Sequence, residues 1–94
     1  MFEWDDEKDT INRIKHGIGF NAAIHIFSGI VLTQIDDRQD YGETREISIG
    51  LLEGQIVIVV VHTDRNDVTR IISARRANKP ERKLYHDYYT QIIR

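Results

Sequence analysis

The run Ile56-Val57-Ile58-Val59-Val60-Val61 constrains this chain more than any other feature. All six residues are branched at Cβ, which favours the extended backbone over the helix. The run is far too short to cross a membrane as a helix. A strand with one wet face alternates apolar and polar residues; this one does not. It therefore reads as a central strand, spanning residues 55–63, with cover on both faces and a neighbour on each edge.

The neighbours are close by in sequence. Residues 30–35 and Arg45–Leu52 read as strands before the central one, and residues 68–75 as a strand after it. A polar loop over residues 36–42, the tight-turn pair Glu53-Gly54 and a turn over residues 64–67 separate them. Links this short join antiparallel strands. Phe2-Glu3-Trp4 suits a short edge strand. Asp5 or Asp6 can cap a helix that runs to about His16 and stops at Gly17, with Ile11 and Ile14 expected on its core side and Ile18 past the turn. A second helix is expected over residues 21–27, capped by Asn21, with Ala22, Ala23, Ile26 and Phe27 available for packing. Asn78 and Glu81 form a capping-box pair around Pro80, and Leu84, Tyr85, Tyr88 and Ile92 follow at helical spacing.

The order (β)ααββββα predicts an α+β fold in a single domain over residues 1–94. A four-stranded, mainly antiparallel sheet would carry two N-terminal helices and one C-terminal helix. Helices on one face would leave the other face or the rim free for a ligand. The chain has no cysteine, which excludes a disulfide framework and suits the cytosol. The acidic opening, Met1 to Glu7, is unlike a secretory signal. The net charge of −2 does not point to nucleic acid, but its distribution is uneven. Residues 69–83 hold Arg70, Arg75, Arg76, Lys79, Arg82 and Lys83 against Glu81 alone, so this segment is +5 and the remainder −7. Such polarity can focus an anionic ligand on one region.

A series of short motifs resembles the BrnT toxins. It comprises Phe2-Glu3-Trp4-Asp5, Lys15-His16-Gly17 with Phe20, Val59-Val60-Val61-His62-Thr63, and Arg70-Ile71-Ile72-Ser73-Ala74-Arg75-Arg76-Ala77 with Glu81-Arg82 and Tyr85. Each motif alone is weak; their order and spacing along nearly the whole chain are specific. The resemblance implies a RelE-like fold and a cytoplasmic ribonuclease toxin of a type II toxin–antitoxin pair. It further implies a BrnA-like antitoxin as partner. That antitoxin is a DNA-binding protein, so operator DNA is met only through it.

RNA cleavage without metal commonly uses the ribose 2′-hydroxyl as nucleophile. It needs groups that move protons and cations that hold the phosphate. Arg suits phosphate because its planar fork binds two oxygens and stays charged. Arg70, Arg75 and Arg76 are the catalytic candidates of this type, with His62 as base or acid. Arg45, Lys79, Arg82 and Lys83 are candidates for RNA binding. Strand alternation puts Arg70 on one face with Val68, Ile72 and Ala74, and Arg75 on the other with Thr69, Ile71 and Ser73. Purely structural roles compete: Arg70 can pair with a carboxylate such as Glu46, and His62 can hydrogen-bond a neighbour. His16 suits a helix C-terminus, and His25 and His86 have no supporting context. No two histidines have the spacing of a known metal motif, so neither metal nor cofactor is expected. Tyr85 and Tyr88 read as packing residues and Tyr89 as exposed. An apolar edge or the aromatic tail offers a surface for a homodimer. The competing function is a non-catalytic module that binds its antitoxin as a co-repressor; the acidic balance and the lack of a clear acid–base pair favour it.

Overall fold

A computed structural model describes all residues, Met1–Arg94. The elements are β1 (Phe2–Glu3), α1 (Asp6–His16), α2 (Phe20–Ala23), a 3-10 helix (Ile24–Ser28), β2 (Leu32–Asp36), β3 (Arg45–Leu52), β4 (Ile56–Arg65), β5 (Val68–Arg76) and α3 (Lys79–Ile92). The strands form one sheet in the order β1-β5-β4-β3-β2, which puts the apolar run of β4 at its centre. β2 through β5 are antiparallel, as their short links require. The sheet nevertheless has five strands, not the four expected, and it is mixed. β1 lies parallel to β5, with Phe2 opposite Thr69 and Glu3 opposite Arg70. The long stretch of chain between these two strands permits the parallel pairing, and Thr69 N–H donates to the Met1 carbonyl at 3.0 Å.

The central strand feeds two cores. Ile58 and Val60 pack with Ile18, Phe20, Ala23, Ile26, Ile71 and Ala74 beneath the N-terminal helices. Val57 and Val59 pack on the other face with Ile49, Ala77 and Tyr85 beneath α3. Helices therefore cover both faces rather than one, which explains why β4 shows no alternation. Burying each such Val or Ile contributes about 1.5–3 kcal/mol. No helix is long and apolar enough to cross a membrane.

The closing helix forms as its sequence signals. Asn78 Oδ1 accepts from Glu81 N–H, and Glu81 Oε1 accepts from Asn78 N–H, both at 2.9 Å. Its buried stripe is narrower than expected: Leu84 and Ile92 are exposed, while Tyr85 is buried and donates its hydroxyl to the Ile30 carbonyl at 2.7 Å. The short second helix starts one residue before Asn21. Gly19 occupies the cap position without a side-chain bond, and Ala22 is exposed.

α1 corrects the expected inward face. Asp5 caps it, accepting from Glu7 and Lys8 N–H at 2.8 and 3.2 Å, and Gly17 ends it at φ 73°. Yet Ile11 and Ile14 are 56% and 82% exposed. The buried residue is Asn12, flanked one turn away by half-buried Asp9 and His16. Because β1 is only two residues long, it leaves the edge of β5 bare beyond Arg70. Asn12 fills that edge. Its side-chain amide donates to the Ala74 and Ile18 carbonyls at 2.8 and 2.9 Å, and its oxygen accepts from Ala74 N–H at 3.2 Å. A helix that docks on backbone edges needs a polar inward face, and Asp9 follows the same logic by accepting from Phe20 N–H at 2.8 Å.

Where the 3-10 helix crosses β3, only glycine fits. A Cβ on Gly50 would lie 2.9 Å from Ile26 Cβ and 3.2 Å from Val31 Cγ1. Gly50→Ala is expected to destabilise the chain by about 1–3 kcal/mol through overpacking, read as a lower urea midpoint at unchanged m-value.

Candidate active site

A β-bulge decides which side chains meet. β4 and β5 pair Val59 with Arg75, Val60 with Ala74 and Val61 with Ser73, and then His62 with Ile71 and Thr63 with Arg70. Ile72 is the extra residue. Val59 and Thr63 lie on one side of β4, so Arg70 and Arg75 share that side. Simple alternation had put them on opposite faces; one inserted residue inverts the parity of everything beyond it.

The shared side is the face that carries α3. The helix covers only one half of it, over Val57, Val59, Ile49 and Leu51. Beyond the helix run two rows of side chains. One is Gln34, Ile47, Val61 and Ser73; the other includes Asp36 opposite Arg45 on one flank and Thr63 opposite Arg70 on the other. Ile47, Val61, Ser73 and Arg45 are half-buried, with Ile47 against the rim of the α3 cluster and Ser73 beside Lys8, Asn12 and His16 of α1.

Three arginines belong to this side of the sheet: Arg45 within the uncovered half, Arg75 at its margin beside the start of α3, and Arg38 in the loop after β2. The Arg45 guanidinium lies 3.9 Å from the centre of the Tyr41 ring, and its Nε is buried without a hydrogen-bond partner. Arg75 holds Glu81 through two bonds of 2.8 Å, a fork that raises the guanidinium pKa and lowers that of the carboxylate. Arg38 bonds Asp36 at 2.7 and 2.8 Å, and its charge is felt at both Arg75 and Glu81. Tyr41 also donates to Asp36, at 3.1 Å. Sequence reading missed Arg38 and Tyr41 because the loop between β2 and β3 has no periodic pattern. The available signal was a strand-ending Asp with Arg two residues on, since Asp36 also accepts from Arg38 N–H at 3.3 Å.

The remaining basic candidates scatter. Arg70 pairs with Glu3 on β1, not with Glu46, because the parallel register sets those two side by side. Arg76 is opposite Ile58, on the other face, and is exposed. Arg82 donates to the Ala77 carbonyl at 2.9 Å, Lys83 pairs with Asp87 at 2.9 Å, and Lys79 is exposed at the start of α3. His62 lies across the sheet from Arg45 and Arg75, only 5% exposed, with Phe27 edge-on at 5.1 Å. Its Nε2 meets Ser48 Oγ at 2.7 Å. Burial lowers its pKa, partly opposed by Glu46 and Asp64. His62 and these three arginines therefore do not share a surface.

The Arg38 guanidinium holds the fully buried Asp36 carboxyl far below the ordinary carboxylate range. A carboxyl depressed in the folded state supplies stability above its unfolded pKa, and that stability drains away as pH falls toward the folded value. The urea midpoint is expected to drop between about pH 5 and about pH 2, and less steeply in Asp36→Asn. A variant with the wild-type slope would contradict this role for Asp36.

What the uncovered half offers is a set of fixed cations beside small hydroxyl side chains and one phenol, an arrangement that can hold and stabilise a phosphate. A family model described as "Ribonuclease toxin, BrnT, of type II toxin-antitoxin system" matches residues 4–81. The structure is similar to that of the Brucella abortus ribonuclease toxin BrnT, at 26% identity and a TM-score of 0.65, over 84% of this chain and 99% of that one. That likeness is to a BrnT fold, and the mixed five-stranded sheet departs from the four-stranded RelE-like arrangement expected. No curated protein sequence matches. With the greater part of its length matched in this way, the chain belongs to the BrnT family of ribonuclease toxins of type II toxin–antitoxin systems.

Proposed function

We propose that this chain cleaves RNA, without a metal ion, on the uncovered half of the α3 face, and that an antitoxin neutralises it. The observation that carries the proposal is that Arg45, Arg75 and Arg38 all belong to the α3 side of the sheet, with Arg45 beyond the α3 cluster and the charge of Arg38 felt at Arg75. In the reaction the ribose 2′-oxygen bonds to phosphorus as the bond to the 5′-oxygen breaks; water takes the proton of the 2′-hydroxyl and gives one to the departing 5′-oxygen. A 2′,3′-cyclic phosphate and a 5′-hydroxyl result, and charge builds on the phosphate oxygens in between. Arg45 has an unpartnered Nε, and Arg75 is about one-third exposed; both stabilise that charge. The carboxylates of this surface, Asp36 and Glu81, are already held by arginines, so positive charge for the phosphate comes from guanidinium groups. Arg70, held by Glu3 at the margin, positions β1 against β5.

A type II family implies an antitoxin partner; a BrnA-like protein, itself the operator-binding member, fits. Ile11 and Ile14 on α1 and Ile35 on the edge strand β2 are exposed apolar residues of the kind a masking partner covers. Expression of the chain alone should arrest growth with loss of intact RNA, and co-expression of the antitoxin should restore both. Normal growth with intact RNA at verified expression sinks the proposal.

One observation favours the second reading, a non-catalytic co-repressor module. Arg38, Arg70 and Arg75 are each paired with a carboxylate of the chain itself, and His62 is buried on the other face. That reading expects antitoxin binding without RNA cleavage.

A further inference from the structure

We propose that Glu46, His62 and Asp64 form a binding site for a first-row divalent transition cation, with zinc the best fit. The strand register builds the site. Glu46 on β3 is directly opposite His62 on β4, and Asp64, two residues on, points to the same side. A ring nitrogen of His62 and one carboxylate oxygen from each acid lie within 4.8 Å of one another. Neither acid belongs to any of the ion pairs of the chain. Asp64 accepts only from the neutral Thr69 hydroxyl, at 3.1 Å. Two carboxylates this close without a cation repel each other.

The imidazole supplies the second, independent observation. His62 Nε2 is engaged by Ser48 Oγ at 2.7 Å, and Ser48 Oγ lies 2.8 Å from Thr33 Oγ1. If Ser48 donates to Thr33, it accepts from Nε2–H, and the lone pair falls on Nδ1. Nδ1 is buried with no partner, in a residue only 5% exposed. In that tautomer the neighbouring carboxylates are acceptors too and cannot satisfy it; a cation can. Histidine ligands are commonly oriented by a hydrogen bond on the other ring nitrogen, and Ser48 occupies that role here.

The donor set selects the ion. One imidazole and two carboxylates suit zinc or manganese, and zinc binds more tightly in the usual order of divalent ions. Bonds of about 2.0–2.2 Å bring ligand atoms to roughly 3–3.5 Å from one another, so the cluster closes by about 1 Å on binding. Asp64 is exposed and free to make that movement. The site lies across the sheet from Arg45 and Arg75, so the ion ties the ends of β3 and β4 together rather than joining the proposed reaction.

The test is calorimetric titration of zinc chloride into the full-length, tag-free, chelator-stripped protein, with thermal melts alongside. The expected result is one zinc per chain and a raised Tm. Asp64→Asn, at an exposed position, and Glu46→Gln with Asp64→Asn should each bind at least about tenfold more weakly, because losing a ligand costs at least as much as losing a group that orients one. Both should keep the wild-type circular dichroism spectrum. Cobalt should show visible absorption bands that weaken in the same variants. No zinc binding by the wild type overturns the proposal. So does unchanged affinity in Asp64→Asn, which would move the ion to His16, His25 or His86.

Discussion

Asn12→Ala is expected to cost about 3–4 kcal/mol, a large share of the roughly 5–15 kcal/mol that holds a small domain together. The side chain makes three bonds to backbone groups, two of them closing the edge of β5 at Ala74 and one fastening the turn after α1 at Ile18. Alanine removes all three and leaves an N–H and two carbonyls buried without partners, and each such group costs about 1–3 kcal/mol when water cannot reach it. Asn12→Leu should be no better, because leucine adds apolar bulk but still leaves those groups unpaired. Urea unfolding followed by circular dichroism measures the difference. A loss under about 1 kcal/mol would show that water enters the edge and that Asn12 does not seal it.

The second large effect is functional. Replacing Arg45 and Arg75 together by glutamine is expected to slow RNA cleavage by at least about 100-fold, since one well-placed donor to a charged transition state is worth about 10²–10³ in rate. Glutamine keeps a stem of similar course and can still hydrogen-bond Glu81, so α3 should remain capped through Asn78. The loss should therefore appear in cleavage and not in stability. The matching control is Arg76→Gln with Lys83→Gln. It removes the same total charge, all of it from the basic segment, but none from the proposed cleavage surface, since Arg76 faces the other way and Lys83 pairs with Asp87.

The features legible in the sequence were those set by neighbouring residues. The β-branched run became β4, Asp5 and Gly17 bounded α1, and Asn78 with Glu81 closed the capping box. Features that depend on distant pairing were not legible. β1 joins β5 in parallel from the opposite end of the chain. The bulge at Ile72 leaves no local mark, yet it moves Arg70 and Arg75 onto one side and so decides the composition of the site. Apolar spacing misplaced the inner face of α1 because that helix docks on bare backbone, where Asn12 serves better than Ile11 or Ile14. Net charge along the chain likewise could not separate Arg75, on the α3 side of the sheet, from Arg76 beside it. Alternation along a strand separates such neighbours, once the register is known.

The most direct test of the cleavage surface is an RNA cleavage time course with purified, tag-free proteins whose folds are matched by circular dichroism. The expected result is cleavage by the wild type, at least about 100-fold slower cleavage by Arg45→Gln with Arg75→Gln, and near wild-type cleavage by Arg76→Gln with Lys83→Gln. Equal rates for the wild type and the Arg45/Arg75 variant would contradict the assignment of RNA cleavage to this face of the sheet.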